Sequence, residues 1–226
     1  MSPKANKDWF RSSTWTNADR TEFEATLARA RVSRRAQYLR IQAWSLARTS
    51  DPALLVAALQ LLDRVLTDYP DDVVQRGPAL ALRADCLLRL DDVVAAVAAF
   101  RTAIHAEATT NTARTMAWLE FGWRVVKEDR QEFFAEVSGL FEEQARDPRF
   151  SLTFPVQRYH FHAVRALIAQ SKGLTKDASE NARHALDAAA LQHSGLQYHA
   201  SLGLVDEVVP KVHDELVRLG AGHLER

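Results

Sequence analysis

Eight histidines and a single cysteine are the side chains of this 226-residue chain best suited to chemistry. The densest histidine pair lies in Tyr159-His160-Phe161-His162, and imidazole serves both as a metal ligand and as a general base near neutral pH. The spacing argues against one shared ion, because residues two apart on a helix point about 200° away from each other. No His-Glu-x-x-His motif is present either. His193 and His199 flank Ser194-Gly195-Leu196-Gln197-Tyr198, a turn-like segment, and could converge with His184. Turn and interface hydrogen bonds are the expected use of these rings, and no metal is expected.

Cys86 has Arg83 and Arg89 three residues to either side, cations that would favour a thiolate. No histidine lies within a helical turn of it, and Ala84, Leu87 and Leu88 mark an apolar stretch, so packing is its expected role. There is no Gly-x-Ser-x-Gly elbow and no glycine-rich phosphate loop of the Rossmann or Walker type. With no acid, base and nucleophile set to assemble, the expectation is a non-enzyme with no cofactor. Arg29, Arg31, Arg34, Arg35 and Arg40 fall within 12 residues. Such a cluster could hold phosphate, but cations at the end of one helix and the start of the next also favour a structural or protein-contact role.

Lysine plus arginine balance aspartate plus glutamate at 29 each, which removes any global field for nucleic acid or an anionic membrane. The first residues carry no apolar signal core, and no stretch approaches the 18 or so apolar residues of a membrane span. Together with the lone Cys86, these features lead to an expectation of a soluble chain in the cytoplasm.

The elements that must position these side chains are helices. Glycine and proline are scarce, at 8 and 7, and fall mostly between segments with apolar residues at helical spacing. The pattern predicts helices at about 17–31, 34–49, 52–68, 77–90, 92–107, 112–127, 130–145, 156–171, 175–191 and 203–219, with no strand alternation. Ser50-Asp51-Pro52 and Asp91-Asp92 read as starts, Tyr69-Pro70 and Asp147-Pro148 as stops.

The second helix of several pairs repeats a small residue, a bulkier or apolar one four later and another three further on. The instances are Ala58-x3-Leu62-x2-Val65 followed by Pro70, Ala96-x3-Phe100-x2-Ala103, Ala178-x3-Ala182-x2-Ala185, and the degenerate Phe134-x3-Ser138-x2-Phe141. The best first-helix counterpart is Trp118-x2-Phe121-Gly122-x2-Val125. This arrangement resembles the tetratricopeptide (TPR) repeat pattern over about residues 34–191. Arg83 and Arg165 depart from it, standing where the pattern has leucine. The resemblance implies an all-α, TPR-like right-handed α-solenoid of about five antiparallel helix pairs. It would form one domain over 1–226: an aromatic arm at 1–16, a first helix at 17–33, repeats at 34–191 and a capping segment at 192–226.

By the same resemblance, the inner face of such a stack would present Arg40 and Trp44, Asp85 and Arg89, Glu120, Trp123 and Lys127, and His160 with Leu167. All but Leu167 form the candidate partner-binding groove. The basic and asparagine set that grips a C-terminal carboxylate in some TPR domains is missing. The implied function is a non-enzymatic protein- or peptide-binding scaffold, adaptor or inhibitory subunit with an unidentified protein or peptide partner. The alternative is a sensor of a small peptide or metabolite. No nucleic-acid or membrane partner is expected, and the oligomeric state stays open. Trp9, Phe10 and Trp15, three aromatics within seven residues, read as a cap across the repeats or as an exposed docking segment. Pro210 implies a kinked or late-starting last helix.

Overall fold

The computed structural model describes residues 8–49, 51–109, 115–148 and 150–221. It is all-helical, with no strand among these residues: α1 (Asn17–Arg29), α2 (Val32–Ala47), α3 (Pro52–Asp68), α4 (Val73–Arg89), α5 (Val93–Thr109), α6 (Ala117–Lys127), α7 (Phe134–Arg146), α8 (Pro155–Ser171), α9 (Thr175–Ala189) and α10 (Pro210–Ala221). A short 3-10 turn, Gln131–Phe133, precedes α7. Contacts gather in two compact units, Met1–Ala117 and Trp118–Arg226.

In the first unit, local chemistry sets the helix starts. Thr16 and Asp19 form a capping box on α1, with Thr16 N donating to Asp19 Oδ2 at 2.8 Å. Asp51 accepts from Ala53 N at 2.8 Å, with Pro52 in the first turn of α3. Asp72 accepts from Gln75 N at 3.1 Å, so α4 begins at Val73 and not at the expected residue 77. Pro78 therefore lies inside the helix, where it removes one backbone bond near an end at which Val73 and Val74 are exposed.

Helix α2 packs on α3, α3 on α4 and α4 on α5, while α2 also touches α4. The repeated small-large-small rows supply the seams. Ala58 and Leu62 are at 0% exposure, as are all of Ala96, Phe100 and Ala103. Facing them, Leu39, Ala43 and Leu46 of α2 and Ala84 of α4 are also at 0%. Alanines at these crossings let backbones close to short range, and the bulky neighbours fill what remains. Arg83, standing where the pattern has leucine, reaches back to Asp63 of α3 at 2.8 Å.

The aromatic arm folds onto α1 and α2. Trp9 meets Phe23 and Tyr38 at ring-centroid distances of 5.3 and 5.0 Å, and Trp15 meets Phe23 at 5.3 Å. Fully buried Gln42 fixes the segment between them, accepting from Ser12 N at 3.1 Å and donating to Ser12 O at 2.8 Å. Trp9, Phe10 and Trp15 are thus half-buried against the first core.

In the second unit, Trp118, Phe121 and Val125 of α6 are buried. Gly122 meets α7 so closely that a Cβ there would sit 2.4 Å from Phe141 Cε2. Val137 and Phe141 are the buried residues of α7, whereas Phe134 and Ser138 are only half-buried, so the degenerate row is carried by a different pair. Helices α8 and α9 form the tightest pair, seamed by Ala178, Ala182 and Ala185 at 0% exposure. Helix α10 packs on α9 and α8. It starts at Pro210, later than the expected 203, because residues before it tie the chain to the start of α8: Val156 N donates to Gly203 O at 2.9 Å. Gly203 has φ +71° and lies against the Phe154 side chain, a position that favours glycine.

Candidate functional site

Four of the expected groove residues, Arg40, Trp44, Asp85 and Arg89, belong to the first unit. Arg40 Nε donates to Gln75 Oε1 at 2.7 Å, joining α2 to α4, and burial lowers the guanidinium's pKa. Arg89 donates through Nη1 to the Ala47 carbonyl and through Nη2 to the Thr49 carbonyl, and lies 3.7 Å from buried Asp85. A guanidinium fork on the carbonyls that end α2 is a helix cap. The structure thus gives Arg89 and Asp85 a role in joining α4 to α2. Trp44 is 44% exposed, with the Arg48 guanidinium 5.2 Å from its ring centre. It is the most accessible apolar group of the four.

The other four belong to the second unit. Glu120 pairs with Arg124 at 3.1 Å, one turn along α6. Trp123 is buried and stacks on His160 with centroids 4.1 Å apart and planes 11° from parallel. Burial, with the Arg124 and Lys127 charges adding to it, pushes the His160 pKa down to about 3, so the ring is neutral at physiological pH. Trp123 and His160, expected on a partner-binding face by the resemblance, instead meet each other in an internal contact of α6 with α8. Lys127 is half-buried beside them.

The remaining sequence candidates are dispersed. His162 hydrogen-bonds Asn181 Oδ1 at 3.0 Å and lies 4.9 Å from the His184 ring, while His193 accepts from Gly195 N at 2.9 Å within its own turn. Among the described residues no group of three histidine, cysteine or carboxylate side chains is placed to hold a metal ion. Cys86 is buried. The arginine cluster closes α1: Arg35 reaches the Ala28 and Ala30 carbonyls at 2.7 and 3.1 Å, and Arg29 the Ala25 carbonyl at 3.1 Å.

The residues best placed to receive a ligand lie elsewhere in the second unit. A cavity of about 410 Å³ opens between α7, α8 and α9 over an apolar floor of Phe141, Val164, Ile168 and Leu174. Its rim carries Glu142, Arg146, Arg165, Lys172 and Asp177. Arg146 pairs with Glu142 at 3.4 Å. Arg165 instead lies over the Phe161 ring at 5.3 Å, and Lys172 Nζ donates to Ser138 Oγ at 3.0 Å. Neither makes an ion pair with a carboxylate among the described residues, so the rim offers two cations, with Asp177 on the same rim, beside an apolar floor. The sequence signal was present in Arg165, a charged residue in an apolar position, and in Leu174, half-exposed at the start of α9. Leu167 lines a separate cavity, also about 410 Å³, bordered by a Lys211–Asp129 pair at 3.1 Å.

No protein-family model, curated protein or solved structure matches the chain.

Proposed function

We propose that the chain is a non-enzymatic, TPR-like helical-repeat scaffold that binds a segment of another protein. The observation that carries this reading is the cleft of α7, α8 and α9, whose apolar floor and mixed rim, with Arg165 and Lys172 outside any ion pair among the described residues, suit a short amphipathic segment. Such a segment would seat one or two apolar side chains over Ile168 and Leu174 and direct an acidic one toward Arg165 and Lys172. Supporting it further, helices pair through buried alanines, and α2 touches α4 across the intervening helix, the neighbour relation of stacked two-helix repeats. An open cleft of this size with a mixed rim fits a peptide better than an enclosed metabolite pocket.

The test uses the full chain, immobilised and exposed to lysate of its native cell, with partners quantified by mass spectrometry. Arg165 and Lys172 are exposed, so Arg165→Glu with Lys172→Glu leaves the fold intact. The proposal expects specific proteins to be depleted about tenfold or more by the double reversal. Equal recovery on both forms would overturn the assignment.

A further inference from the structure

A second cavity, of about 370 Å³, lies beneath the N-terminal arm, and its walls are of a different chemistry. Trp9, Trp15 and Phe23 line it, the two indoles each 5.3 Å from the phenyl ring, at 47° and 66° to it. The opening carries three carboxylates, Asp8, Asp19 and Glu22, against one guanidinium, Arg11. That guanidinium pairs with Asp8 at 3.4 Å and lies 5.3 Å from the Phe10 ring, which leaves Asp19 and Glu22 as the carboxylates it does not pair with. Asp19 stays ionised, because hydrogen bonds, the Thr16 backbone amide first, lower its pKa. Glu22 is exposed and has no partner among the described residues.

Aromatic faces carry negative quadrupole potential, and several tilted rings beside carboxylates form the environment that stabilises an alkylated ammonium. Such a cation is too weakly hydrated and too bulky to be recognised by hydrogen bonds, so it is held by ring faces with a distant counter-charge. Inorganic cations would be held by the carboxylates alone and gain nothing from the indoles.

We propose that the arm and α1 form a receptor for a methylated ammonium group, carried by a small quaternary amine or by a methylated lysine side chain of a partner. The site is built by the arm, which explains the concentration of Trp9 and Trp15 in a segment that a capping role alone would not require to be so aromatic. Gln42 has its amide committed to Ser12, so it anchors the arm that carries the two half-buried indoles over buried Phe23. This inference is independent of the α7–α9 cleft.

The experiment titrates the full chain with choline and with its neutral carbon isostere, 3,3-dimethylbutan-1-ol, following tryptophan fluorescence and indole NH shifts. A short peptide bearing trimethyl-lysine is titrated in parallel. Choline should bind at least about tenfold more tightly than the isostere. Trp15→Ala should abolish binding, Trp15→Phe should retain part of it, and Glu22→Gln, a surface change, should weaken it several-fold. The peptide binding more tightly than choline identifies a partner's side chain as the source, and equal affinity identifies a free amine. Either upholds the site. Equal binding of the isostere, undiminished binding by both Trp15→Phe and Glu22→Gln, or no indole shift with any cation would overturn it.

Discussion

Gln42 holds Ser12 by both ends of its amide, accepting from the backbone N–H at 3.1 Å and donating to the carbonyl at 2.8 Å, from a position with no solvent exposure. A buried amide with both functions satisfied is stabilising, and one made partnerless is costly. Gln42→Ala should therefore cost about 2–3 kcal/mol in urea unfolding. Limited proteolysis should then cut first between Trp9 and Thr16. Arm protection equal to that of the parent chain would show that ring packing alone fixes the segment.

Gly122 sets the approach of α6 to α7. An added Cβ would meet Phe141 Cε2 at 2.4 Å, Phe141 Cζ at 2.6 Å and Val137 Cγ1 at 3.1 Å. The Phe141 ring cannot swing aside easily, since it stacks on Phe161 at 5.3 Å and abuts Trp118 at 4.9 Å. Gly122→Ala should cost about 1–3 kcal/mol despite its better helix propensity. Phe141→Leu in the same chain should recover part of the loss, which a double-mutant cycle measures.

Arg89 joins the carbonyl end of α2 to Asp85 of α4. Arg89→Ala removes the cap and strips buried Asp85 of a close cation, an expected loss of about 2–4 kcal/mol by thermal or urea unfolding. Arg89→Lys should recover little, because one ammonium cannot reproduce a planar fork on two carbonyls.

His160 should make the fold sensitive to acid. Its folded pKa, about 3, lies below the ordinary 6.5, so the unfolded chain binds more protons between those values. The stability it confers is complete above pH 6.5 and is lost as pH falls toward 3, with a slope of up to about 1.4 kcal/mol per pH unit. Burial lowers the pKa of His162 as well, which acts in the same direction. Urea midpoints at pH 7 and pH 5 should converge in His160→Gln relative to the parent chain. An unchanged slope would place the acid sensitivity elsewhere.

The helices were legible because apolar spacing and caps are local, and each of the ten among the described residues overlaps a segment read from the sequence, with positions 112–114 of the expected sixth lying outside the described residues. Their ends were less so: the helix expected from residue 77 is capped earlier by Asp72, and α10 waits for Pro210 because Gly203 is held by Val156. The groove residues show a deeper limit. The resemblance assigns Trp123 and His160 to one inner face, yet a repeat register does not tell whether that face meets solvent or another ring, and here they meet each other. The α7–α9 cleft depends on where Phe141, Ile168 and Leu174 converge from three helices, which no single periodicity encodes.

The proposed cleft is tested most directly at Leu174, which is half-exposed, lines the floor and provides no side-chain cap to α9. A photo-crosslinking residue placed there in the full chain, in its native cell, is compared with one at Asp187, exposed on the same helix outside the cleft. The account predicts a discrete crosslinked protein from position 174 alone, lost on Arg165→Glu with Lys172→Glu. No product at 174, or the same product from 187, would contradict it.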